Sequence, residues 1–285
     1  MTSYVTLSTL DLVIAALLLV VSGGLSLWLD LRLERQFLIA AARMVVQLLL
    51  IGLILKGLFQ IASPWLTLLV ALVMAGFATH EIRARQARVA GGWWGYGIGG
   101  GAMSLAGFLI ALLALAALVE PTPWYDPRYA IPVFSMVLGN SMTGVSLGLN
   151  TLTTTVVRER VTIEAQLLLG ASKWDAMRPA LREAMRSGTM PIINAMAASG
   201  VVSLPGMMTG QILAGVDPTE AVKYQLLIMF LIAGAIGLGV LLAVFGTAWR
   251  LTDARDRLRL DRLATCAEQR LGSGPIKGIP FSGEA

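Results

Sequence analysis

A succession of long apolar stretches restricts this chain more than any other feature. Leu10–Leu29, Phe37–Gly57, Trp65–Thr79, Gly97–Val119, Ile131–Thr153, Met190–Ala214 and Gln225–Trp249 each approach the roughly 20 residues that cross a bilayer as a helix. Hydrophobic residues make up 56% of the chain and charged ones 14%, and the charges gather between the stretches. The expected fold is all-α, a polytopic helical membrane protein with about seven transmembrane helices. Residues 1–249 form the membrane domain and 250–285 a cytoplasmic extension. No basic n-region precedes the first apolar run, so a cleaved signal peptide is not expected. The lone Cys266 cannot build a disulfide framework.

Basic residues orient the spans. Arg32 and Arg35 follow the first; Arg83, Arg85 and Arg88 follow the third. Arg158, Arg160, Lys173, Arg178, Arg182 and Arg186 lie between the fifth and sixth, and Arg250 to Arg262 follow the seventh. The intervening loops hold only Arg128 and Lys223. The positive-inside rule therefore puts the N-terminus outside and the C-terminus inside. This bias accounts for the net charge of +5, so no nucleic-acid partner is implied. Trp28, Trp93, Trp94 and Trp249 fall at inner ends and Trp65, Trp124 and Tyr125 at outer ones, as interfacial belts do. Charges at helical spacing over Arg250–Arg270 predict a solvated or membrane-surface helix. Gly272–Ala285, rich in Gly, Ser and Pro, predicts disorder.

The sixth span contains an interruption. Ser203-Leu-Pro-Gly-Met-Met-Thr-Gly-Gln211 sets a helix-breaking Pro205-Gly206 and a polar Gln211 at bilayer depth. Backbone freed there must be buried in protein or line a wet cavity, and solute pathways are a common reason for such a break. Asn194, Ser203, Met207 and Met208 lie around it and complete a candidate pathway with Asn140 of the fifth span. Asn140 also sits among small residues, Gly139, Ser141, Gly144 and Gly148, that suit close helix packing, so both readings of this span stand. The Gly97–Gly101 run has no preceding strand and reads as packing, not as a nucleotide loop.

Catalysis finds little support. His80 is the only histidine, no Gly-x-Ser-x-Gly elbow occurs, and clustered metal ligands are missing. Arg43 and Lys56 lie near opposite ends of the second span, where both can snorkel to the headgroups. No Asp or Glu sits mid-membrane, which argues against coupling through intramembrane carboxylates.

The cytoplasmic loop 158–186 is too patterned to be a mere connector. One helix runs through Glu164 and Ala165 and stops at Gly170; Ser172 with Asp175 resembles a capping box that opens a second. Trp174, Met177, Leu181 and Met185 form one stripe of that second helix, and Arg178, Arg182 and Arg186 another. Pro179 predicts a kink or restart. An amphipathic helix on anionic lipid and a docking helix for a cytoplasmic protein both fit the pattern.

Two resemblances bear on that choice. Glu164-Ala165-x4-Gly170 resembles the front half of the loop by which ABC importer permeases dock their ATPase, while Ala180, Arg182 and Glu183 depart from its usual ending. Val137-Leu-Gly-Asn-Ser-Met-Thr-Gly144 and Val202-Ser-Leu-Pro-Gly-Met-Met-Thr-Gly-Gln-Ile-Leu-Ala-Gly-Val-Asp-Pro218 resemble the FetB-type ABC permease family, associated with iron export in bacteria and, in plants, with aluminium tolerance. The resemblance implies a bacterial inner-membrane permease that works as a homodimer with a separate cytoplasmic ABC ATPase. Glu164, Ala165, Gly170, Trp174, Met177, Arg178 and Leu181 are then the coupling residues. The chain has no Gly-x4-Gly-Lys-Ser/Thr loop, so ATP and Mg would be held by the partner and this chain would bind no cofactor. The residues themselves form no convincing iron site, and the metal ligands stay unassigned. An ATPase-independent channel or secondary transporter, and a non-transporting scaffold or receptor, are the alternatives.

Overall fold

A computed structural model describes residues 8–30, 34–61, 63–86, 88–91, 94–119, 121, 123–253 and 256–265. Cys266 and Gly272–Ala285 lie outside the described residues. The elements in order are α1 (Thr9–Trp28), α2 (Glu34–Ile61), α3 (Pro64–Arg85), β1 (Arg88–Ala90), α4 (Trp94–Leu113, continuing into a π-helical segment Ala114–Val119), α5 (Pro127–Arg158), α6 (Arg160–Leu168), α7 (Lys173–Ala198), α8 (Gly206–Leu213), α9 (Pro218–Leu251) and β2 (Leu263–Thr265).

Local signals set the helix starts. Ser8 and Asp11 form a capping box at α1. Pro64, Pro127 and Pro218 open α3, α5 and α9, where a missing N–H costs nothing, and Asp126 and Asp217 cap the last two. Thr219 donates to the Asp217 carboxylate from both its amide and its hydroxyl, which holds that carboxyl below its usual range.

Six helices, α1 to α5 and α9, are each long and apolar enough to cross a membrane. The expected sixth span, Met190–Ala214, is composite. It comprises the end of α7, a non-helical stretch over 199–205, and α8. α8 is only about 12 Å long at 1.5 Å per residue, too short to cross a bilayer by itself, and neither piece is among the six.

The core lies where α5 packs against α3, α4, α7 and α9. Three close approaches depend on missing side chains. A Cβ on Gly144 would stand 2.8 Å from the Gly188 carbonyl oxygen, and one on Gly188 would stand 2.7 Å from Val240. A Cβ on Gly100 would overlap Thr79 at 2.1 Å, which locks α4 onto α3. Gly97 and Gly101 meet nothing, so only part of that glycine run packs closely.

Two expectations need correction. Arg43 reaches Glu81 of α3 at 2.9 Å, and Arg85 shares the same carboxylate at 3.3 Å. It is therefore an interhelical tie and not a free snorkelling cation. Beyond Leu251 the described residues form no α-helix, only a 3-10 turn at Leu260–Arg262: Thr252 bridges Leu258, and Leu263–Thr265 pairs antiparallel with Arg88–Ala90. Leu258, Leu260 and Leu263 pack against the core, and that burial outweighs the local helical charge pattern.

Candidate functional site

The coupling region is built from two capped helices joined by a tight turn. α6 ends in a Schellman motif, with the Gly170 amide donating to Leu167 O and the Ala171 amide to Gln166 O. Gly170 has φ +91°, which explains why glycine stands there. Ser172 caps α7 by accepting from the Asp175 amide. α7 then runs through Pro179 without a restart. Pro179 is exposed, so the carbonyl it strips of a partner, that of Asp175, faces solvent instead of an apolar core.

The apolar stripe of α7 points inward. Met177 is 1% exposed and Leu181 6%, so both brace the helix against its own chain and cannot touch a partner. Trp174 is half-exposed and rests on Phe245 of α9 with ring centroids 5.7 Å apart. Glu164 pairs with Arg160 at 2.8 Å, Ala165 and Gly170 are exposed, and Arg178 pairs with Asp175 at 2.9 Å. Glu183, a departure from the importer pattern, accepts from Thr155 and lies 3.6 Å from Arg158, pinning α7 to the end of α5. Sequence reasoning missed the most exposed apolar side chains of this loop. Leu168 and Leu169 are 89% and 88% exposed at the end of α6. Two leucines before a stop glycine were the available signal.

The tail contributes as well. Asp256 lies 3.8 Å from Lys173 at the start of α7, and the Arg262 guanidinium donates to the Arg250 carbonyl. Arg259 grips Asp261 in two parallel hydrogen bonds that depress the Asp261 carboxyl and raise the guanidinium.

α5 and α7 are antiparallel, because Gly144 meets Gly188 and Gly148 approaches Ala184. Asn140 and Asn194 therefore lie at similar depth, about 6 and about 9 Å beyond the crossing at 1.5 Å per residue. Both are exposed on the single chain, and the Asn140 amide donates to Met136 O. At the break, the Gly200 amide donates to Ser203 O, and the Val202 and Ser203 amides to Ala198 O. Much of the freed backbone is thus bonded within the turn. Ser203 and Gly206 are exposed, while Pro205, Met207 and Met208 are half-buried. Gln211 buries its Oε1 with no hydrogen-bond partner among the described residues. α8 packs on α9. No group of three His, Cys, Asp or Glu that could hold a metal occurs among the described residues.

The chain is 32% identical to the probable iron export permease protein FetB of Escherichia coli (strain K12), over 89% of this chain and 95% of that one. It is 38% identical to the membrane protein slr1647 of Synechocystis, over 72% and 78% of the two chains. It is 31% identical to the protein ALUMINUM SENSITIVE 3 of Arabidopsis thaliana, over 72% and 73%. No solved structure matches it. Residues 9–251 match the model of the uncharacterised protein family UPF0014, and this multi-pass membrane protein with a permease relative belongs to that family.

Proposed function

We propose that this chain is the permease subunit of an ATP-driven exporter in a bacterial inner membrane, with a separate ABC ATPase on its cytoplasmic face. One observation carries the reading: α7 is a single helix from the capped Lys173 to Ala198, where the broken segment begins. Force applied at the cytoplasmic end would travel along a packed rod, with Met177, Leu181 and Ala184 buried along its length. The exposed Ala165, Leu168, Leu169 and Trp174, with the cations of Arg178 and Arg182, offer the ATPase an apolar patch beside positive charge.

A second copy completes the pathway. Ile193, Val201, Val202 and Leu204 are exposed around the break, beside Asn194 and Ser203. Two such faces brought together would enclose the polar groups of both copies between apolar walls. ATPase closure tilts α7, and the turn at 199–205 is the hinge that changes access.

Iron is the proposed cargo because the relative FetB bears that activity in its name. The available donors here are amide oxygens, hydroxyls and thioethers, which suit transient passage better than tight capture. The test is co-reconstitution of the chain with an ATPase in vesicles, comparing Fe(II) with other metal ions and organic solutes. ATP-dependent, vectorial movement of iron is expected. Equal flux without ATPase would replace this reading by a channel.

A further inference from the structure

Between the Trp65 end of α3, the end of α4 and the start of α5 lies a cavity of about 490 Å³. Its walls are apolar. Phe108 stacks on Phe134 at 4.7 Å, Ala71 and Ala111 are buried, and the Thr67 hydroxyl is spent on Ser63 O. Leu115, in the π-helical continuation of α4, closes one side. π-Segments within α-helices often mark functional sites. Leu68, Leu109 and Leu112 are half-exposed at the mouth, so the opening faces sideways into the bilayer.

Water cannot fill this space, because each molecule needs two to four polar partners that these walls do not offer. An empty void would forfeit the dispersion energy of its lining. The lining runs from Leu105 to Leu115 along α4, about 15 Å, which is the thickness of one leaflet's hydrocarbon. Trp124 and Tyr125 meet edge to face at the rim, where amphipathic rings seat at headgroup level. Arg128 falls between the lining residues Tyr125 and Ala130 in the chain, exposed and in no ion pair among the described residues.

We propose that this cavity is a binding site for one acyl chain of an outer-leaflet phospholipid, with its phosphate beside Arg128. The site is separate from the coupling face and from the break at 199–205. It makes bilayer composition a direct input to the packing of α3, α4 and α5.

The test is native mass spectrometry of the purified full-length chain, delipidated in mild detergent and then titrated with phosphatidylglycerol or phosphatidylcholine. The wild type should retain one phospholipid and prefer phosphatidylglycerol. Ala71→Phe fills the cavity from its floor and should weaken retention about tenfold, equivalent to about 1.4 kcal/mol. Leu112→Trp fills it from the mouth and serves if Ala71→Phe does not fold. Arg128→Gln should keep the chain bound but erase the headgroup preference. Undiminished retention in a folded, filled variant overturns the acyl site, as does a wild type that holds no lipid. A preference that survives Arg128→Gln overturns the phosphate assignment.

Discussion

The α1–α2 hairpin and the α5–α7–α9 centre obey different physics within one chain. α1 and α2 are long, apolar and almost wholly exposed; none of the most apolar stretch of α2 is buried inside the chain. α5 is less apolar than either, yet over half of its most apolar stretch is buried. In lipid an apolar face gains little by leaving the solvent, so hydropathy does not decide what packs: α9, the most apolar span, has half of its most apolar stretch buried while α2 has none. Packing instead requires small residues that let backbones approach, as at Gly144 and Gly188.

The largest expected effect follows directly. Gly188→Leu drives a side chain into Val240 and the Gly144 carbonyl, beyond the ~1–3 kcal/mol usual for overpacking, and should abolish recovery of monodisperse protein. Gly52→Leu in α2 meets open space and should leave recovery and thermal stability unchanged. Size-exclusion chromatography of the two variants decides the comparison. Equal behaviour would mean that the centre is no more tightly specified than the hairpin.

The second effect is on transport. Pro205→Ala with Gly206→Ala favours helix through the turn that separates α7 from α8, and should reduce ATP-driven flux to background while leaving the chain folded. The exposed setting of Gly206, with no atom near its added Cβ, makes the fold tolerant of the change. Normal flux in the double variant would reduce the break to a packing kink.

Much of this was legible in the sequence, for identifiable reasons. Span length and basic loops are read residue by residue, and the stops at Gly170 and Pro205-Gly206 are local chemistry. Three features were not legible. Met177 and Leu181 lie on the stripe of α7 that the chain turns inward, and a stripe alone does not say which side faces home. Arg43 found Glu81 across 38 residues, a tertiary pairing with no local signature. The end of α7 within the membrane depends on how far the antiparallel α5–α7 contact carries the helix beyond Arg186, which periodicity does not encode.

A third, intermediate effect concerns coupling. Trp174→Ala removes the ring that rests on Phe245 and the aromatic surface left exposed beside it. It should lower ATPase co-purification about tenfold, equivalent to about 1.4 kcal/mol, and leave membrane insertion intact. Phe245→Ala separates two roles. If Trp174 acts by contact, Phe245→Ala changes capture less than Trp174→Ala; if it acts by bracing α7, the two match. Undiminished capture and transport in Trp174→Ala would remove it from the coupling face.

The smallest effect tests whether the hairpin is held at all. Arg43–Glu81 is the ion pair that joins α2 to α3 among the described residues, and Arg43 remains half-exposed. Exposed pairs contribute about 0.2–1 kcal/mol, and Arg85 stays on the carboxylate when Arg43 is lost. Arg43→Gln should therefore shift the melting temperature by only a few degrees while widening the distribution of α2–α3 distances between spin labels at Gly52 and Val73. Glu81→Gln should do the same and also free Arg85, so the double variant should add little to it. Additive losses would mean that each residue serves some other partner. A distance distribution unchanged in all three would show that lipid packing alone positions the hairpin, and the two regions would then differ in the kind of force that holds them as well as its strength.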